Sequence, residues 1–148
     1  MTESKPKVAA LLPVRKESVR CANKMLRPFG DTTLARLALE KISQSREVDT
    51  IYYAANGDEL LAIAREFPNV RVIERSRSSA LGEDAPSIYD FMDQIEEPLI
   101  ASMNACCAFL KIETFDRSVR TFRDGGYRSL LAAIGAKEWY WDEAGRPL

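Results

Sequence analysis

The sequence predicts an α/β fold, a largely parallel sheet covered by helices on both faces, and three observations carry that reading. Short apolar runs alternate with segments of helical periodicity along almost the whole chain. The first of these runs, Val8-Ala9-Ala10-Leu11-Leu12-Pro13-Val14, is apolar without interruption, as a strand buried on both faces is. The strand-like runs are separated by segments long enough for the helical crossovers that parallel pairing requires.

Taken in order, residues 8–14 form the first strand. Leu34 to Ile42 places apolar residues at 34, 37, 38, 39 and 42, one face of a helix, with Asp31, Thr32 or Thr33 as N-cap. Asp49 to Ala55 is the second strand. Asn56-Gly57-Asp58 then turns into a helix over Glu59 to Phe67, which Pro68-Asn69 stops. Val70 to Ile73 is the third strand, and a polar loop from Glu74 to Glu83 leads into a helix over Pro86 to Ile95. Leu99 to Met103 is the fourth strand, Thr114 to Phe122 a helix that Gly125-Gly126 ends, and Ser129 to Ile134 a fifth strand. An aromatic segment, Trp139-Tyr140-Trp141, follows. There is no internal repeat, low-complexity stretch or linker, so residues 1–148 read as one domain. The closing Asp142-Glu143-Ala144-Gly145-Arg146-Pro147-Leu148 looks like a hairpin turn without a returning strand, the expectation being that a longer protein is cut here.

Composition narrows the chemistry. Of 148 residues 46% are hydrophobic and 29% charged, with 21 basic against 22 acidic side chains and a net charge of −1. That balance argues against a nucleic-acid or membrane-surface partner, which a large basic excess would favour. Histidine is absent, which excludes Ser-His-Asp and Cys-His catalysis, His-ligated zinc and an imidazole base. Cys21, Cys106 and Cys107, an odd number with two adjacent, do not form a disulfide framework. Cys106 and Cys107 are expected as small buried side chains at a strand end, the alternative being a reactive thiol. The N-terminus is polar and no run approaches the ~20 apolar residues of a membrane span, so the expected location is cytoplasmic and reducing.

In such sheets ligands sit beyond the C-terminal ends of the strands, which directs attention to the segment after the first strand. Arg15, Lys16, Arg20, Lys24 and Arg27 place five of the 21 basic residues there beside one acid, Glu17. Ser18 and Asn23 add neutral hydrogen-bonding groups. Cations concentrated at that position suit a polyanion such as a triphosphate, the alternative being a solvated basic loop. No glycine lies between residues 15 and 29, so the loop is neither a P-loop nor a dinucleotide fingerprint.

The pattern Pro13-x-Arg15-x-x-Ser18-x-Arg20-x-x-Asn23-Lys24-x-x-Arg27-Pro28-Phe29 resembles the nucleotide-binding loop of the cytidylyltransferases that make CMP-sialic acid and CMP-KDO. Three further stretches resemble family segments in the same order: Arg77-Ser78-Ser79-Ala80-Leu81-Gly82-Glu83-Asp84, Asn104-Ala105-Cys106-Cys107-Ala108-Phe109-Leu110, and Tyr140-Trp141 with the turn that closes the chain. The resemblance implies a Rossmann-like three-layer α/β/α fold of the nucleotide-diphospho-sugar transferase type. It implies Mg²⁺ as cofactor, CTP and an acidic sugar of the 3-deoxy-ulosonic type as substrates, and transfer of CMP to a sugar hydroxyl with release of pyrophosphate. Arg15, Ser18, Arg20 and Lys24 would hold the triphosphate, with Arg15 and Lys24 as the catalytic cations. Asn23 would join them in nucleotide binding, Arg77 would lie near the base or ribose, and Arg27 would be peripheral. Metal ligands are not assigned. Acceptor contacts, a homodimer arm and acidic metal ligands would lie beyond Leu148, making the domain incomplete at its C-terminus.

The chain departs from the family pattern in places. Glu17 stands where the family has a glycine, Met25 where it has an asparagine, and Asn56 where an acid is usual. A carboxylate at Glu17 repels a triphosphate unless it turns onto Lys16 or Arg20. The second expectation is therefore a non-catalytic relative that keeps the fold and a weak nucleotide pocket. Trp139, Tyr140 and Trp141 could stack on a base or form the edge of a core or an interface, and in the latter case the chain is an interaction domain. Asp84 is expected to cap the helix that follows it rather than to bind metal.

Overall fold

The computed structural model describes residues 5–18, 20–82, 84–133, 135 and 139–147. In chain order the elements are β1 (Val8–Pro13), the short strands β2 (Pro28–Phe29) and β3 (Thr32–Thr33), α1 (Leu34–Ile42), β4 (Thr50–Ala55) and α2 (Asp58–Arg65). They continue with β5 (Val70–Glu74), α3 (Arg77–Leu81), α4 (Ala85–Ile88), a 3-10 turn over Met92–Gln94, β6 (Leu99–Ser102) and α5 (Ile112–Asp124). The main sheet is wholly parallel, in the order β5-β4-β1-β6. β2 and β3 form a separate antiparallel pair.

The apolar run of β1 is explained by its central place. Val8, Ala10, Leu12 and Val14 pack into the larger core with the buried faces of α1, α2 and α5, whereas Ala9 and Leu11 pack on the opposite side with Tyr52, Ala54, Ile73 and Phe91. Alternate residues of one strand thus feed two cores, the three-layer α/β/α arrangement expected of a Rossmann-like fold. Thr33 caps α1, its hydroxyl accepting from the Arg36 amide at 3.3 Å. Gly57 precedes α2 with φ 106°, a left-handed conformation that favours glycine.

The connections create a switch point. From β1 the chain moves to β4 and β5 on one side, then crosses back to place β6 on the other side of β1. The crevice at the C-terminal ends of β1 and β6 is where open sheets of this kind bind ligands.

Three expectations need correction. The polar loop over 74–83 contains α3, and the long helix over 86–95 is instead α4 followed by the 3-10 turn. The fifth strand is not formed over its described residues, 129–133; they are exposed, Leu131 at 89%. An apolar run becomes a strand only where a sheet edge pairs with it and a layer covers it, and neither is provided here. The terminal turn does form, with an antiparallel bridge between Trp141 and Pro147 and the Asp142 carboxylate accepting from the Ala144 and Arg146 amides at 2.9 Å each. Trp139, Tyr140 and Trp141 lie at the surface, outside both cores. Among the described residues no helix is long and apolar enough to cross a membrane.

Candidate functional site

A cleft of about 320 Å³ opens at the switch point, between the end of β1, the basic loop, the α3–α4 segment and the loop after β6. Its floor is backbone: Val14 continues β1 and donates its amide to the Ala54 carbonyl at 2.9 Å, and the Met103 amide donates to the Leu11 carbonyl at 2.9 Å. These bonds carry sheet pairing to the edge of the cleft, so the residues that follow leave from fixed positions. The loop after β6 is held from below by Lys41, whose ammonium donates to the Ala108 carbonyl and, at 3.1 Å, to the Leu110 carbonyl.

Among the described residues three cationic side chains line the cleft: Arg15, Lys24 and Arg75. Arg15 donates from Nη1 to the Ala80 carbonyl at 3.2 Å, which joins the basic loop to α3. Arg75 is the hub. It is 5% exposed and donates from Nε to Ser79 Oγ at 3.2 Å, from Nη1 to the Val14 carbonyl at 3.3 Å, and from Nη2 to the Ser79 and Ile88 carbonyls at 2.7 and 3.0 Å. Its guanidinium also sits 5.3 Å from the Phe91 ring centroid. Burial pulls its pKa below the ordinary value, Asp90 opposes that and Arg15 adds to it. An arginine nevertheless stays charged in a protein, so this is a desolvated cation held by carbonyls, with no carboxylate in ion-pair contact among the described residues.

Of the expected site residues, Arg15 and Lys24 come together on the cleft, whereas Ser18, Arg20, Asn23 and Arg77 are not among its lining. Asn23 has φ 52°, and its carbonyl accepts from the Leu26 and Arg27 amides at 2.9 and 3.2 Å. Asparagine tolerates that left-handed geometry better than most residues, which gives it a role in turning the loop. Arg77 is exposed at the start of α3. Arg27 donates to Cys21 Sγ at 3.3 Å, and Lys16 pairs with Glu59 at 2.6 Å. Glu17 is exposed and outside the lining.

Sequence reasoning missed Arg75 and Tyr89, both of which line the cleft. Arg75 directly follows β5, at the ligand end of the sheet, and that position was the available signal. Tyr89 is the single aromatic among the described lining residues, and its ring lies 6.3 Å from that of Phe91. Asn104 also lines the cleft; its side-chain oxygen accepts from the Cys106 amide at 2.9 Å. Cys106 and Cys107 are exposed, not buried, because the chain leaves the sheet at Met103 and carries both into the turn above it.

The Mg²⁺ implied by the resemblance finds no matching ligand set here. Among the described residues no three Asp, Glu, Cys or His side chains come together, and the cleft lining contains no carboxylate. Asp84 is spent on Ser87, accepting from its amide at 2.9 Å and its hydroxyl at 3.1 Å, the expected cap. Asn56 donates to the Arg75 carbonyl at 3.2 Å. The donor set is that of an anion site.

The profile of the cytidylyltransferase family matches residues 9–145. The chain belongs to the cytidylyltransferase family. No curated protein matches it by sequence. Its fold is similar to that of a CMP:2-keto-3-deoxy-manno-octonic acid synthetase solved with CTP, with a TM-score of 0.66 and 14% identity over 81% of this chain and 48% of that one. It is similar also to a cytidylyltransferase from Leptospira borgpetersenii serovar Hardjo-bovis, with a TM-score of 0.65 and 22% identity over 79% of this chain and 49% of that one. A third similar structure is Rv0371c of Mycobacterium tuberculosis H37Rv in complex with manganese, with a TM-score of 0.53 and 17% identity over 82% of this chain and 61% of that one. This cytidylyltransferase-family chain thus spans about half the length of the first two.

Proposed function

We propose that the cleft binds the triphosphate of CTP and that this chain serves transfer of CMP from CTP to an acidic sugar of the 3-deoxy-ulosonic type, with release of pyrophosphate. The observation that carries the reading is the lining itself: Arg15, Lys24 and Arg75 converge at the switch point, and among the described residues no carboxylate lines the cleft with them. In the reaction a sugar hydroxyl attacks the α-phosphorus and gives up its proton to water, the bond to the oxygen bridging the α- and β-phosphates breaks, and pyrophosphate departs with the negative charge. Arg15 and Lys24 would oppose that developing charge from fixed positions. Arg75 would supply a desolvated positive field behind them, since its donors are largely engaged by carbonyls. Tyr89 offers an aromatic face for the base, and Ser18, Arg20, Asn23 and Arg77 would contact the nucleotide from outside the present lining. Magnesium enters this proposal as part of the substrate, bound to the phosphates of CTP.

A second reading, a nucleotide-binding relative without turnover, is favoured by one observation: the described residues hold no acidic cluster near the cleft. One experiment separates the two. Calorimetry measures CTP binding, and pyrophosphate release is assayed with Mg²⁺, CTP and 3-deoxy-ulosonic acids. Binding with release establishes the transferase, binding without release the second reading, and the absence of both binding and release overturns both readings.

A further inference from the structure

Two guanidiniums, those of Arg15 and Arg75, are drawn together in the cleft by bonds to successive residues. Arg75 Nη2 donates to the Ser79 carbonyl at 2.7 Å, and Arg15 Nη1 donates to the next carbonyl of α3, that of Ala80, at 3.2 Å. Arg75 Nη1 donates to the carbonyl of Val14, the residue before Arg15, at 3.3 Å. Neither arginine has an ion-pair partner among the described residues. Arg15 is also one of the causes that lower the pKa of Arg75, as a like charge held close by does. An arginine carries five N–H donors. In Arg75, Ser79 Oγ takes that of Nε, the Ser79 and Ile88 carbonyls take both on Nη2, and Val14 takes one on Nη1. The second N–H of Nη1 has no acceptor among the described residues, in a residue only 5% exposed. A buried donor without an acceptor is costly. This one belongs to the nitrogen bonded to Val14, itself a lining residue, whereas Nε and Nη2 are bonded to α3 and α4.

We propose that Arg15 and Arg75 clamp one phosphate group of the ligand between them, with Arg75 touching it directly through the second N–H of Nη1. The proposal deepens the reading above: it rests on the cleft as an anion site, and adds a contact to the field assigned there to Arg75. It does not require the anion to be a nucleotide. An oxyanion between the two guanidiniums offsets their repulsion, supplies the missing acceptor and takes charge-assisted bonds from planar donors. The other four N–H groups of Arg75 hold Val14, α3 and α4 together. The anion therefore completes the hydrogen bonding of the group that fixes the cleft walls, and its binding is coupled to their packing.

The test titrates the full chain, isotope-labelled at arginine nitrogen, with inorganic tripolyphosphate and follows the guanidinium protons by NMR. The Arg75 signals are identified by their proximity to the Phe91 ring, whose centroid lies 5.3 Å from the guanidinium carbon. Exchange of the Arg75 Nη1 protons with water is expected to slow roughly tenfold or more as tripolyphosphate binds, the worth of a hydrogen bond to a charged group. Sodium chloride of equal ionic strength should not slow it. Arg75→Lys and Arg15→Ala should each bind tripolyphosphate roughly tenfold more weakly by calorimetry, and the double variant should lose less than the two losses combined. The exchange measurement needs no variant, so it decides alone should Arg75→Lys fail to fold. Tripolyphosphate that binds with Nη1 exchange unchanged, equal slowing in sodium chloride, or a folded Arg75→Lys that binds as tightly as the parent overturns the clamp. CTP separates the clamp from the nucleotide reading. Slowing by tripolyphosphate without any binding of CTP keeps the clamp and overturns that reading. Binding of CTP without slowing by either anion keeps that reading and overturns the clamp, and binding of neither anion overturns both.

Discussion

Arg75 donates to the Val14 carbonyl at 3.3 Å, joining the residue after β5 to the residue after β1 across a separation of 61 positions. The same side chain holds the Ser79 and Ile88 carbonyls, so β1, α3 and α4 share one buried guanidinium. Arg75→Ala is expected to destabilise the protein by roughly 2–4 kcal/mol, because it leaves buried carbonyls unpaired. Arg75→Lys keeps the charge but lacks the planar fork and should recover less than half of that loss. Urea denaturation of the two variants checks this; equal stability of Arg75→Ala and the parent would refute the hub.

Arg15 is held far less than Arg75, its side chain donating a single bond, to the Ala80 carbonyl, against four from Arg75. Arg15→Ala and Lys24→Ala should each weaken CTP binding by roughly tenfold, and each should reduce its salt dependence. Unfolding free energies should shift by no more than about 1 kcal/mol. Calorimetry at two salt concentrations, with urea melts alongside, measures both.

Tyr89 tests where the base lies. Tyr89→Ala should weaken CTP binding by the equivalent of about 1–3 kcal/mol, the usual worth of a base stacked on an aromatic ring. Binding of inorganic tripolyphosphate should be untouched, and Tyr89→Phe should behave as the parent. A loss of equal size for both ligands would assign Tyr89 to shaping the cleft instead.

Tyr53 carries a buried hydroxyl with no hydrogen-bond partner among the described residues, in a side chain 0% exposed. Burial raises its pKa, so the hydroxyl stays protonated. Removing an unpaired buried hydroxyl removes its desolvation cost, so Tyr53→Phe should be neutral or stabilising by up to about 1 kcal/mol. A clear loss of stability on thermal melting would mean that the hydroxyl has a partner.

Glu47 joins the loop between α1 and β4 to α5, accepting from Arg120 Nη1 at 2.8 Å and Arg123 Nη2 at 2.7 Å. Those bonds, Arg120 first, hold its carboxyl below the ordinary value of 4.5. The folded protein therefore binds the Glu47 proton less readily than the unfolded chain does. Its stabilising contribution is complete above about 4.5 and is lost as pH falls through the lower folded value. Glu47→Gln should remove that part of the acid dependence and lower stability at neutral pH, as read from urea midpoints between neutral pH and pH 3.

Elements whose pattern is local were legible. The period of the apolar residues between Leu34 and Ile42 places α1 within its observed bounds, Thr33 caps it, and the uninterrupted apolar run of β1 reflects cores on both sides. Asp84 caps α4 through bonds to a residue three positions away, again a local relation. The run at 130–133 misled because it has strand-like composition, while pairing depends on an edge that composition does not contain.

By itself the sequence determined the α/β class, the parallel strands, the basic loop and the family pattern, since each depends on spacing over a few residues. Tertiary structure decided which cations meet. Arg15, Lys24 and Arg75 converge because the chain crosses from β5 back over the sheet to β6, bringing segments more than 50 residues apart to one end of β1. The same crossing leaves Arg77 on the surface and sets Cys106 in the cleft with Cys107 outside it. Of two adjacent residues in one turn, only the packing of distant segments determines which lines the cleft.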